Sequence, residues 1–229
     1  MANSVPVPVV AINEQDKTLF KSINTFVHNY MSQPHHDNSH DYYHILRVVS
    51  NANKLLEAEL TANPDLQYDT LTIFLAALLH DVGDYKYAKA GEDIENQISH
   101  VLRERGASDE LAAKVQTIVH HVSYTHEVKN TEAVMQVLAK YPELAIVQDA
   151  DRLDAIGAVG VGRCFAFGGA RRQGQPMSLA VDHFGEKLLK LPAMMKTASG
   201  RAMAVSRKKV LEDFEAQFRE ETRLSFSLE

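Results

Sequence analysis

Apolar residues recur at three- and four-residue intervals through most of the chain, the spacing that gives a helix one buried face. This periodicity predicts helices over about 14–31, 41–61, 69–82, 92–105, 108–122, 131–139, 142–157, 178–191 and 199–222. In the second of these, Ile45, Val48, Val49, Ala52, Leu55 and Leu56 form the apolar face, and Ser39 or Asp41 can cap its open amides. Gly106 can close one helix and Ser108 open the next, where Asp109 and Glu110 complement the positive helix start. Pro142 suits a first helical turn. No run of alternating β-branched residues suggests a sheet, so the expected fold class is an all-α helical bundle.

The third helix breaks the amphipathic rule. Leu71 to Leu79 is almost wholly apolar, reads as a central buried helix, and ends in His80, Asp81 and Asp84. Polar groups emerging from a core are costly unless something compensates them. A divalent metal is the economical candidate, because neutral imidazole and carboxylate are its common ligands.

Two further segments supply company for such an ion. His44 lies one turn before Val48, near the apolar face of its helix, with Arg47 three residues on. Asp149, Asp151 and Asp154 interrupt an apolar segment; Asp151 and Asp154 share a helix face and Asp149 is turned away from Asp154. Taken alone, that segment reads as a helix with a solvated acidic stripe. His36-Asp37 lies in a polar run without periodicity and reads as a solvated turn.

Together these residues resemble the signature of the HD-domain superfamily of metal-dependent phosphohydrolases: a histidine, a His-Asp pair and a distant aspartate, falling here on His44, His80-Asp81 and Asp151. The local contexts, His40-Asp-Tyr-Tyr-His44-Ile-Leu-Arg47, His80-Asp-Val-Gly-Asp-Tyr-Lys86 and Gln148-Asp-Ala-Asp-Arg-Leu-Asp-Ala-Ile-Gly157, look like the YpgQ-type branch. The likeness extends through Arg163-Cys-Phe-Ala-Phe-Gly-Gly169 and His183 to Leu191, and covers roughly residues 20 to 222. It implies an HD-domain helical bundle, His44, His80, Asp81 and Asp151 as metal ligands, and manganese-dependent pyrophosphohydrolysis of nucleoside triphosphates. One divalent ion is expected, manganese foremost, with magnesium, cobalt, nickel or ferrous iron as alternatives.

The reaction assigns further roles. Asp84, one turn beyond the His-Asp pair, is expected to orient or deprotonate the attacking water; its plainer role is a cap or a salt bridge with Lys86. Triphosphate charge calls for cations, for which Arg47, Lys86, Arg152, Arg163, Arg171 and Arg172 are candidates. Arg47 and Arg152 carry catalytic weight because they sit inside the metal motifs. Gly168 to Gly174 is either a mobile phosphate-contacting loop or a solvated connection. His120 and His121 point about 100° apart on a helix, so one is expected to reach substrate and the other to be structural. With His100 they also permit a second reading, a two-metal HD oxygenase using a di-iron pair. The chain lacks the Gly-Tyr-Pro element of HD phosphodiesterases. A nucleotide-binding sensor without turnover is the non-enzymatic alternative.

Composition narrows the partners. Net charge is -6 and the pI near 6.0, which excludes an overall basic surface for nucleic acid or anionic membrane; the resemblance implies a small-molecule nucleotide as the partner. The single cysteine, Cys164, excludes an intramolecular disulfide, fits a reducing compartment, and reads as a small buried residue. No apolar run reaches membrane-spanning length and no signal core is seen, so a cytoplasmic location is expected. Met1 to Asn13, with its Val-Pro-Val-Pro, reads as a mobile or extended arm, and 14–229 as a single domain for which a homodimer is compatible.

Overall fold

Short polar side chains start the helices where the sequence places them. In the computed structural model, which describes residues 5–34, 36–83 and 96–227, Asp41 accepts from the His44 amide, Asp69 from that of Thr72 and Ser108 from that of Leu111. Among the described residues eleven α-helices follow: α1 Lys17–Met31, α2 Tyr42–Ala62, α3 Thr70–Leu79, α4 Gln97–Glu104, α5 Asp109–His120, α6 Tyr124–Lys129, α7 Thr131–Lys140, α8 Glu143–Asp154, α9 Gly157–Arg171, α10 Ser178–Glu186 and α11 Ala198–Glu221. A single 3-10 turn at Glu14–Asp16 and a seven-residue 3-10 helix at Leu188–Met194 complete the element list, and there is no strand among the described residues.

Helix α3 is the axis of the bundle. Every side chain from Thr72 to Leu79 is buried, against α1, α2, α5 and α8. Each large apolar residue so buried contributes about 1.5–3 kcal/mol, which fixes both the position of α3 and the place where His80 must emerge. Helix α2 lies along α8, and this pairing brings residues 44 and 154 together across the chain.

From Val5 to Asn13 the N-terminal arm forms no helix and is anchored. Asn24 Nδ2 and the Tyr42 hydroxyl both donate to the Pro6 carbonyl at 2.9 Å, and Val5, Val10 and Ile12 pack on the core.

Helix α9 corrects the expectation of a loop at Gly168 to Gly174: Gly168–Arg171 form its last turn. Its glycines lower local helix propensity. Tertiary contact overrides this, with the Phe165 ring 5.7 Å from Phe214 and 5.9 Å from Phe218 on α11. A side chain at Gly160 would overlap the Ala155 carbonyl, so a glycine is needed for α9 to turn sharply out of α8. The predicted helix over 178–191 is divided into α10 and the 3-10 helix containing Pro192. Among the described residues no single helix is long and apolar enough to cross a membrane.

Candidate metal centre

His44 is fully buried on α2, and its Nδ1 lies 2.7 Å from Asp154 Oδ2 on α8. His80 caps the C-terminus of α3, with Nδ1 2.9 Å from the Ala77 carbonyl oxygen. A carbonyl can only accept, so the His80 proton sits on Nδ1. The ionised Asp154 carboxylate imposes the same tautomer on His44. In its neutral form each ring therefore presents the lone pair of Nε2, and these two atoms are 3.1 Å apart.

Two lone pairs at that distance repel unless a cation stands with them. Asp81 supplies charge at the same point: its Oδ2 lies 3.2 Å from His44 Nε2 and its Oδ1 3.4 Å from His80 Nε2. Oδ2 is buried without a hydrogen-bond partner among the described residues. Asp151 Oδ1 is 3.8 Å from both imidazole nitrogens. Ligand atoms of His44, His80 and Asp81 all lie within 4.8 Å of one another. Two imidazoles and the Asp81 carboxylate, with Asp151 beside them, form a mixed nitrogen and oxygen donor set suited to a divalent transition ion, and the orphaned oxygen and facing lone pairs are what such an ion would satisfy.

Asp154 organises this centre from behind. It accepts from His44, from Arg47 through Nε at 2.8 Å and Nη2 at 3.1 Å, and from Arg163 Nη1 at 3.2 Å. Burial alone would raise its pKa, but the bonds from His44 and Arg47 more than offset this and hold the carboxyl far below the usual carboxylate range. Burial and Arg163 push His44 down; Asp154 and Asp81 outweigh them, so its pKa is raised. Burial likewise acts to raise Asp81, and the neighbouring His80 and His44 bring it well below its ordinary value.

The remaining predicted residues divide. Arg152 does not face the centre: one helical step turns it into the core, where its guanidinium donates to Glu127 of α6 and to the Met194 carbonyl, with Lys196 completing the network at 2.5 Å from Glu127. The structure thus places the Arg152 guanidinium in this network and away from the centre. Arg47 and Arg163 are also turned from the ion-binding atoms; Arg47 clamps Asp154, and Arg163, largely buried, holds the Ser39 carbonyl as well. Arg171 pairs with Asp37 at 3.1 Å and keeps partial exposure. His120 and His121 gather with His126 at ring separations of 4.8–5.3 Å, and His121 Nδ1 is bonded to the Thr117 carbonyl. Asp84 and Lys86 lie outside the described residues.

Two residues gain importance. Asp154 was legible as sharing the face of Asp151, although nothing local marked it as the support of His44. His40, whose Nδ1 is 2.8 Å from Ser39 Oγ, places its ring 5.8 Å from that of His44. The turn at Asp37 is not simply solvated: its carboxylate accepts from the Ser39 amide and hydroxyl and so fixes the segment that carries His40.

A helical bundle that closes a histidine, a His-Asp pair and a distant aspartate around one point is the arrangement of an HD domain. The HD-domain family profile matches residues 41–156, from the cap of α2 to just past Asp154, and the chain belongs to that family. It is 32% identical over 199 residues to YpgQ of Bacillus subtilis strain 168, a match covering 86% of this chain and 90% of that protein. The crystal structure of Bacillus subtilis YpgQ in complex with ADP superposes with a TM-score of 0.67 at 31% identity, covering 87% of this chain and 96% of that one. An HD-superfamily hydrolase from Bacillus thuringiensis is similar at a TM-score of 0.64 and 33% identity, covering 91% and 98% respectively.

Proposed function

We propose that this protein hydrolyses a phosphoanhydride bond of nucleoside or deoxynucleoside triphosphates, using one divalent ion, manganese foremost, held by His44, His80, Asp81 and Asp151. The observation that carries this reading is the pair of Nε2 atoms 3.1 Å apart, with both Nδ1 protons committed and the Asp81 carboxylate alongside. Membership of the HD-domain family and the crystallised ADP complex of YpgQ support hydrolysis and a nucleotide ligand.

When bound, such an ion lowers the pKa of a coordinated water from about 15.7 toward 7 and polarises a phosphoryl oxygen. The chain's own residues set the conditions for this. Asp154 and the Ala77 carbonyl lock both imidazoles in the ligating tautomer. Asp81 and Asp151 bring negative charge to the point where those nitrogens meet. Asp84 is assigned to the attacking water, and Lys86, Arg171 and the His120–His121 pair to the phosphates or nucleoside. Arg47 and Arg163 act through Asp154 and are positioning residues.

The test is a manganese-supplemented screen of nucleotides with separate detection of pyrophosphate and orthophosphate. Pyrophosphate release from triphosphates is expected, lost with a chelator and in Asp81→Ala and Asp151→Ala. Two irons per chain with oxygen consumption would replace this reading with the oxygenase. Tight nucleotide binding without release of either product across manganese, magnesium, cobalt and nickel would make the protein a sensor.

A further inference from the structure

A second feature lies on the far side of Asp154 from the metal centre. The stripe of α2 that carries Arg47, Ser50, Asn51 and Lys54, with Ser50 and Lys54 exposed and Asn51 buried, faces the turn from α8 into α9 across an open cleft of about 340 Å³ that Arg207 of α11 also lines. None of His44, His80, Asp81 and Asp151 lines it.

Its charge is unbalanced. Arg47, Lys54 and Arg207 converge on it, and Asp154 is its one acidic lining residue. That carboxylate is already shared among His44, Arg47 and Arg163, and is only 2% exposed. Arg207 donates to the Leu153 carbonyl and to Asn51 Oδ1, both neutral acceptors. Lys54 makes no hydrogen bond or ion pair among the described residues, and Arg47 keeps Nη1 beyond the two nitrogens that hold Asp154. Burial lowers Arg207 from its ordinary value, with Asp154 opposing, as expected of a cation that lacks a dedicated counter-charge.

The backbone adds to the same sign. Helix α9 begins here, and its N-cap, Ile156, offers no side-chain acceptor to the first-turn amides. Gly157 has φ +75°, and a Cβ there would sit 3.1 Å from the Arg207 Cβ and Cγ, so the glycine lets the arginine stem lie over the turn and carry its guanidinium to the cleft.

We infer that this cleft is a binding site for a phosphate-type oxyanion, distinct from the metal centre. Inorganic phosphate or pyrophosphate matches the cleft in charge: guanidinium and ammonium groups donate to the oxygens, and Ser50 and the first residues of α9, Gly157 to Val159, line the same space.

The test is calorimetric titration of phosphate, and separately of pyrophosphate, into the full chain treated with a chelator, at low ionic strength. Saturable binding of at least one is expected. Lys54→Glu, a change at an exposed side chain, and Ser50→Glu, which puts a carboxylate into the cleft, should each weaken binding by at least about tenfold, whereas Asp151→Asn should retain it. The relative affinities of the two ions tell whether one or two phosphoryl groups are accommodated. Absence of saturable binding, equal affinity in wild type and both glutamate variants, or loss confined to Asp151→Asn would overturn the assignment. Because the titration is run without metal and without turnover, its outcome is independent of the proposed hydrolysis.

Discussion

His44 on α2 and His80 at the C-terminal cap of α3, 36 residues apart, point Nε2 at Nε2 across 3.1 Å, and each has its Nδ1 proton engaged by an acceptor that fixes its tautomer. Such a pair is prepared for a cation before one arrives. Manganese should therefore raise the melting temperature and a chelator reverse it; at a free ion concentration about 100 times Kd the stabilisation is about 2.7 kcal/mol. His80→Ala should abolish the shift. An unchanged melting temperature with manganese, magnesium, cobalt, nickel and ferrous iron would reject the centre.

The support beneath His44 can be tested at Asp154. Asp154→Asn keeps the shape but loses the charge that orders His44, Arg47 and Arg163, and should weaken metal affinity by about 10–100-fold. The carboxyl's pKa is depressed in the folded chain, so the folded state binds fewer protons there than the unfolded state does. Its contribution to stability is full above about pH 4 and fades as pH falls toward the depressed value. The stability gap between wild type and Asp154→Asn, measured by urea denaturation, should thus narrow below about pH 4. A gap of constant size across that range would contradict the assigned ionisation.

Arg152 yields the opposite signature. Its partner Glu127 is held below the usual carboxylate range; burial opposes this and is outweighed by Lys196 and Arg152. Arg152→Met leaves Glu127 with Lys196 as its remaining ion-pair partner and Gln148 as a neutral donor, and should cost about 3–5 kcal/mol in urea denaturation, as breaking a buried pair does. The kcat of the folded fraction should stay within about twofold of wild type. A large fall in kcat with little loss of stability would return Arg152 to the active site.

Arg152 also shows where sequence reading stops. The path of α3 and the emergence of His80 and Asp81 follow from an apolar run too uniform to be anything but central, and His44 from its place on the α2 stripe. Arg152 neighbours Asp151 in the chain, but one residue of helix turns it about 100° away, toward a glutamate on α6, a short helix without a clear period. Helix α9 was hidden for a related reason: its glycines argue locally against helix, and the packing of Phe165 comes from α11 some distance along the chain. Contacts between remote segments carry no local signature.

Gly200 and Gly162 extend that lesson to a single substitution made twice. Replacing a helical glycine by alanine ordinarily stabilises by about 1 kcal/mol. Gly162 on α9 has open space where a Cβ would stand, so Gly162→Ala should follow the rule. Gly200 lies in the first turn of α11, where a Cβ would overlap Asp149 Oδ2 and come within 2.8 Å of Thr197 Oγ1. Neither neighbour can withdraw cheaply. Asp149 is fully buried and accepts from the Lys196 amide, the Thr197 amide and the Thr197 hydroxyl, while Thr197 caps α11 through the Gly200 amide. Gly200→Ala should therefore cost about 1–3 kcal/mol, the range for forcing extra volume into a packed site. Urea denaturation of the two variants should move the midpoint in opposite directions. Shifts of the same sign would mean that the hydrogen-bonded cap of Asp149 and Thr197 yields to a methyl group, and that the junction of α8 with α11 is looser than its hydrogen bonds imply.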